Sequence, residues 1–260
     1  MQDDYGNVTL VNVSGIYDEQ PLFIDKLKKG GAGVIDAVSM TGTNGYCDDM
    51  AKENFREMMK EYPTQGLHFI DGGNYHYLTL LWLSLIEEPF DLIVFDNHSD
   101  MQKPAFGDVL SCGGWIRNLV EDSGFKGKVT VVGVDKDNID KEMKELGVKF
   151  ITKQTILKKR GQQYGLENEL IDKCWTGKRP VYISVDKDVL DEKEYKTNWN
   201  QGIMSVDELF AIIEDTFEMR KVIGMDICGE MDEAVNSEFG SIYNEINQAV
   251  NMRFLKFRIS

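Results

Sequence analysis

Seven short apolar runs punctuate the chain: Val8 to Val13, Leu67 to Ile70, Leu92 to Phe95, Val129 to Val134, Val148 to Ile151, Val181 to Val185 and Val222 to Ile227. They are rich in Val, Ile and Phe and are apolar at nearly every position, not at alternate ones. That is the pattern of strands buried on both faces of a sheet. Amphipathic stretches between them predict helices over Asp48 to Tyr62, Tyr75 to Ile86, Gly114 to Glu121, Leu166 to Trp175, Val206 to Met219, and from about Glu238 onward. Ser205-Val206-Asp207-Glu208 has the form of a capping box, in which Ser205 and Glu208 satisfy each other's free amides and start a helix. Alternating strands and helices predict a three-layer α/β/α fold with a mostly parallel sheet. No internal repeat, low-complexity stretch or Pro-rich linker divides residues 1–260, so a single domain is expected.

In such folds ligands bind beyond the carboxyl ends of the strands. Three of the apolar runs end directly in dense polar clusters. Leu67-His68-Phe69-Ile70 leads into Asp71-Gly72-Gly73-Asn74-Tyr75-His76. Leu92-Ile93-Val94-Phe95 leads into Asp96-Asn97-His98-Ser99-Asp100, and Val181 to Val185 into Asp186-Lys187-Asp188-Val189-Leu190-Asp191. In extended chain Asp-x-His-x-Asp would point all three side chains to one side, because strand residues alternate faces. Any one cluster alone is equally a turn or a helix cap. Three of them on the strands of one sheet would crowd carboxylates together, which is costly unless cations neutralise them.

Carboxylate and imidazole donors suit manganese, and also zinc, iron or cobalt. No cysteine stands in the clusters, which argues against a structural zinc site. The chain has three histidines and two fall inside the clusters. The third, His68, lies within a strand and is expected to be a hydrogen-bonded core residue.

Charge narrows the classes of partner. The formal net charge of -15 and the lack of a basic stripe disfavour nucleic acid. Lys158, Lys159 and Arg160 read as a solvated loop or helix end. No apolar run reaches bilayer-spanning length, and the acidic start Met1-Gln2-Asp3-Asp4-Tyr5 is unlike a signal peptide. Cys47, Cys112, Cys174 and Cys228 are widely spaced and read as reduced thiols, so a cytoplasmic protein is expected.

The three clusters resemble, in order and spacing, the motifs of the ureohydrolase superfamily, which includes arginase, agmatinase and formimidoylglutamase. Those motifs are Gly-Gly-Asp-His, Asp-Ala-His-x-Asp and Ser-x-Asp-x-Asp-x-x-Asp-Pro. Here they read Gly72-Gly73-Asn74-Tyr75-His76, Asp96-Asn97-His98-Ser99-Asp100 and Ser184-Val185-Asp186-Lys187-Asp188-Val189-Leu190-Asp191. The resemblance covers roughly residues 66 to 230 and implies an arginase-like fold holding two manganese ions. By it, Asp96 and Asp186 bridge the ions, His76 and Asp100 complete one, and His98 and Asp188 the other. It further implies hydrolysis of a guanidino or amidine group, releasing urea or an amide plus an amine, and homo-oligomers are common among its members.

Four departures mark this chain. Tyr75 stands where the family has its first histidine ligand, with His76 one place later. Cys112, in Ser111-Cys112-Gly113-Gly114, stands where many members carry a proton-transferring histidine. Glu230 comes one residue late for the Asp-x-x-Glu pattern that binds guanidinium in the family, and is expected here to pair with the substrate cation. Glu192 replaces a proline after Asp191. Asp100 is expected to hold the nucleophile and pass its proton, Cys112 to stand as a catalytic candidate, and Gln102 to make a polar substrate contact. Trp199 is a candidate rim residue. The substrate is expected to be a small-molecule or peptidyl guanidino compound, with neither nucleic acid nor membrane as partner. Two rival readings remain: a one-zinc deacetylase of related architecture, whose paired-histidine motif is not present, and a non-catalytic binding protein, which the Cys112 replacement favours.

Overall fold

The computed structural model describes residues 4–104, 107–122, 124–160, 177–232 and 240–259. Among the described residues ten strands run in chain order as β1 (Val8–Asn12), β2 (Gly33–Asp36), β3 (Tyr46–Cys47), β4 (Leu67–Phe69), β5 (Asp91–Phe95), β6 (Leu110–Ser111), β7 (Val129–Val132), β8 (Lys149–Ile151), β9 (Val181–Asp186) and β10 (Val222–Cys228). Eight of them form one sheet in the order β2-β1-β4-β10-β9-β5-β7-β8, every pair parallel. β3 and β6 make a separate antiparallel ribbon.

Helices cover both faces. α1 (Pro21–Lys29), α6 (Lys153–Lys159), α7 (Val206–Met219) and α8 (Gly240–Phe254) lie over one face. α2 (Asp49–Met59), α3 (Leu78–Leu83), α4 (Trp115–Glu121) and α5 (Lys141–Glu145) lie over the other. The strands feed both layers alternately: Ile93 and Phe95 pack with Phe210 and Ile213, whereas Leu92 and Val94 pack with Trp82 and Ile116. Burial on both sides is why these runs carry no polar alternation. The expected α/β/α architecture is the one found.

Local chemistry accounts for the element boundaries. Ser205 accepts from the Glu208 amide at 3.1 Å while Glu208 accepts from the Ser205 amide at 2.8 Å, the full capping box at the start of α7. The predicted helix over Tyr75 to Ile86 shrinks to Leu78–Leu83, because residues 73–75 wind as a tight 3-10 turn. α1, β2, α5 and α6 have no counterpart among the sequence expectations. β2 is an edge strand with exposed positions, so it lacks the continuous apolar run of its neighbours. The expected helix from Leu166 to Trp175 lies outside the described residues.

The four central strands, β4, β10, β9 and β5, carry their carboxyl ends to one rim. Asp71, just past β4, is fully buried in a left-handed conformation (φ 73°). Its carboxylate accepts from the Val13 and Ser14 amides and the Ser14 hydroxyl at 2.7–2.9 Å, which offsets the backbone strain and ties β1 to the rim.

Candidate metal centre

Register places the acidic residues before any side-chain rotamer does. Phe95 of β5 pairs with Val185 of β9, so Asp96 and Asp186 leave the sheet side by side. Asp186 in turn pairs with Cys228 of β10. The turn after β4 brings in His76, whose Nδ1 lies 2.9 Å from Asp100 Oδ2, 3.3 Å from Asp96 Oδ2 and 3.7 Å from Asp186 Oδ2. On the other side His98 Nδ1 lies 2.7 Å from Asp188 Oδ2 and 3.6 Å from Asp96 Oδ1. The two oxygens of Asp96 therefore face different histidines. All six expected residues converge.

The route to convergence differs from simple strand alternation. Asp100 adopts a left-handed conformation (φ 47°), and residues 187–189 form a 3-10 turn. Asp96 and Asp186 each bond an amide two residues on, from His98 and from Asp188. Such carboxylate turns bend the chain back on itself and aim the following side chain at the same point. His76 reaches the cluster despite the inserted residue, while Tyr75 turns into the core.

The donor set fits divalent cations. His76 Nε2 lies 2.9 Å from Ser184 Oγ, and that hydroxyl donates to Asp226 Oδ1 at 2.6 Å. With its own proton committed, Ser184 accepts from Nε2–H, which leaves a lone pair on Nδ1 facing three carboxylates. His76 Nδ1 and Asp96 Oδ2 are both buried without a hydrogen-bond partner. A lone pair against carboxylates is tolerable only with a cation between them or a proton on the ring. The indole of Trp115 donates to Asp100 Oδ2 at 2.7 Å and fixes that carboxylate. Supports of this kind orient metal ligands. Ser184, Asp226 and Trp115 were not singled out from sequence. Ser184 shares its strand face with Asp186, but its pairing with Asp226 needs the strand order.

Without cations the cluster holds protons. Burial first, then the charges of Asp188 and Asp96, push Asp186 up to about 7. Burial and Asp96 push Asp188 up to about 6. Burial works against charge on His98, but its hydrogen bonds to Asp188 and Asp96 outweigh it and push the ring up to about 12. His76 is also raised, the Cys228 sulfur, Asp100 and Asp96 overcoming burial. Each group binds protons more tightly folded than unfolded, so its contribution to stability is lost as pH rises. For the aspartates that window runs from about 4 to about 7, and for the histidines it begins near 6.5. The Tm of metal-free protein is therefore expected to fall by roughly 5 °C or more from pH 5 to pH 8. Added manganese, which needs deprotonated ligands, should raise Tm more at pH 8 than at pH 5. A metal-free Tm that climbs over this range in differential scanning calorimetry refutes the proton-sharing account.

The centre opens into a cavity of about 280 Å³ lined by Asn44, Tyr46, Asn74, Gln102, Ser111, Cys112 and Trp199 as well as His98 and three of the aspartates. Gln102 and Trp199 both line it. Cys112 lies in the wall as well, but burial and the charge of Asp100 push its thiol up to about 12. In the metal-free protein it stays a neutral thiol and does not act as a base.

Glu230 corrects an expectation. It is fully buried, and its carboxylate is taken by Lys187, by Gln20 Nε2 at 2.8 Å and by Asn251 Nδ2 at 2.7 Å. It does not line the cavity. A one-residue shift at a strand end moves a side chain to the opposite face. Gly229, not Glu230, faces the centre: a Cβ there would lie 2.5 Å from Asp186 Oδ1, and its φ of 88° suits only glycine. His68, by contrast, is the expected core residue, bonded to Tyr182 Oη and the Pro63 carbonyl at 3.0 Å each and stacked on Trp82. Burial pushes its ring down to about 4.

Residues 30–231 match the model of the arginase family. The chain belongs to that family. An uncharacterised protein from Thermotoga maritima is 30% identical over 227 residues, covering 87% of this chain and 80% of that protein. Among solved structures, formimidoylglutamase from Bacillus subtilis superposes with a TM-score of 0.69 at 17% identity, over 96% of this chain and 85% of that one. A hypothetical agmatinase from Burkholderia thailandensis gives 0.65 at 19% identity, over 98% and 88%. These likenesses establish the arginase-like fold, and no described helix is long and apolar enough to cross a membrane.

Proposed function

We propose that this arginase-family protein is a hydrolase that uses two divalent ions, manganese in the first instance, to cleave a C–N bond of a guanidino or amidine compound. The observation that carries the reading is the convergence of His76, Asp96, His98, Asp100, Asp186 and Asp188 in two halves that share Asp96, at the floor of an open cavity. His76, Asp100, Asp96 and Asp186 would hold one ion, and His98, Asp188, Asp96 and Asp186 the other. Such a pair supplies water acidic enough to attack at neutral pH, together with charge to stabilise the tetrahedral state.

The chain's own groups do the remaining work. Asp100 faces the cavity with one oxygen fixed by Trp115, and it holds the nucleophile's proton for delivery to the leaving amine. Gln102, Asn74 and Asn44 offer neutral donors and acceptors to the substrate, and Trp199 and Tyr46 form the mouth. With Glu230 withdrawn and Gly229 in its place, no described carboxylate beyond the four ligands reaches the substrate space. Recognition rests on hydrogen bonding to the neutral wall instead of an ion pair with a guanidinium.

The test combines metal analysis with product assays. After manganese loading, two ions per chain are expected, with urea, ammonia or amide released from at least one member of a guanidine and amidine panel. Fewer than two ions, or no turnover on any member, overturns the reading. A stoichiometry of one zinc with deacetylase activity would replace it by the one-metal alternative.

A further inference from the structure

One group at the centre lies outside the nitrogen and oxygen donors just described. Cys228 is the last residue of β10, fully buried, with a free thiol. Its register partner is Asp186, the last residue of β9, so the two side chains leave neighbouring strands on the same face. Two residues back on the same face, Asp226 and Ser184 pair in the same way, and the Ser184 hydroxyl, donating to Asp226, meets His76 at its Nε2. A nitrogen of His76, a carboxylate oxygen of Asp186 and the Cys228 sulfur lie within 4.8 Å of one another. That is the spread of donors around a single ion. A buried free thiol is usually just a small apolar filler. Cys47 fits that description: it is equally buried and belongs to no described cluster of ligating groups. Cys228 instead shares its cluster with His76, a fully buried ring whose Nδ1 has no hydrogen-bond partner.

We propose that Cys228 supplies a sulfur donor to the ion held by His76, Asp100 and Asp186, so that the centre is asymmetric in metal preference. The inference rests on the two-ion reading above. Thiolate selects zinc, cobalt or ferrous iron over manganese, whereas carboxylate and imidazole alone accept manganese. The half containing Cys228 therefore takes a thiophilic ion. The half built from Asp96, His98 and Asp188 has no described sulfur in its cluster and takes the harder one. Coordination releases the thiol proton to water, so the added sulfur donor carries one negative charge to the ion.

Cobalt reports this directly. Anaerobic loading of the full chain with two equivalents of Co²⁺ should give d–d bands together with a near-ultraviolet thiolate-to-cobalt charge-transfer band. Cys228→Ser should remove the charge-transfer band, and Cys112→Ser should leave it. Zinc affinity in Cys228→Ser should drop about tenfold or more while manganese affinity stays within twofold, a loss at least as large as that of an outer ligand partner. Because Cys228→Ser sits in the core and can fail to fold, zinc K-edge absorption on the unmodified protein gives an independent reading. One sulfur at about 2.3 Å is expected, beside nitrogen and oxygen at about 2.0–2.1 Å. Cobalt bound with d–d bands but no charge-transfer band, or an edge spectrum without sulfur, overturns the proposal and leaves the two-ion reading standing. A charge-transfer band that survives Cys228→Ser also overturns it. Failure to bind cobalt at all overturns both.

Discussion

Replacing Asp96 by asparagine is expected to reduce manganese from two ions per chain to one or none and to lower turnover by more than about 100-fold. The geometry makes this position unlike its neighbours. Asp96 Oδ2 is 3.3 Å from His76 Nδ1, and Oδ1 is 3.6 Å from His98 Nδ1. Each oxygen therefore serves one half of the centre, and no second described side chain is shared by both histidines in this way. Asparagine keeps the shape and can still accept the His98 amide through its oxygen. It loses the charge and turns the other atom into a donor aimed at His76. Losing only a supporting partner of a metal ligand commonly costs 10–100-fold. Losing a residue that would serve both ions should exceed that range. Asp100→Asn provides the contrast, since Asp100 meets only His76 and should weaken one ion while leaving the other. Metal analysis after gel filtration, with circular dichroism to check the fold, decides the matter. Two tightly held ions in Asp96→Asn would show that the two halves are independent.

Much of this centre was legible in the sequence because parallel α/β folds put their chemistry at strand ends. The apolar runs located β4, β5 and β9, and the clusters that follow them supplied all six convergent residues. The strand period located less than it promised. Asp100 and Asp188 reach the cluster through a left-handed residue and a 3-10 turn, neither of which the pattern announces. Residues acting across strands were invisible for a different reason. Ser184, Asp226 and Cys228 come together only because β9 and β10 are neighbours, and that follows from strand order alone. The edge strand β2 escaped because exposure on one side dilutes its apolar signal. Glu230 shows the opposite failure. A motif shifted by one residue kept the right amino acid and reversed the face it points to.

That reversal leads to the second large effect. Lys187→Met or Glu230→Leu alone is expected to cost about 3–5 kcal/mol of stability, because each strands a fully buried charge. The pair is closed in from every side. Lys187 donates to Glu230 and, at 3.0 Å, to Asn251 Oδ1, and its ammonium lies 5.1 Å from the centre of the Tyr195 ring. Asn251 donates to the same carboxylate oxygen as Lys187 and to Gln20 Oε1, and Gln20 donates to the other carboxylate oxygen, so α8 and the start of α1 are bound to the turn that carries Asp186 and Asp188. Replacing both charges by apolar groups of similar volume removes the desolvation cost together with the attraction, and such swaps are often neutral. Lys187→Met/Glu230→Leu should therefore recover most of the loss, giving a strongly non-additive double-mutant cycle in urea. The same cycle separates a structural Glu230 from a substrate-binding one. A substrate-binding carboxylate would leave stability nearly unchanged in Glu230→Gln, raise KM for cationic substrates, and gain nothing from the second replacement. The buried pair predicts the reverse: low stability in each single variant, and a KM that returns with the fold when both charges are removed.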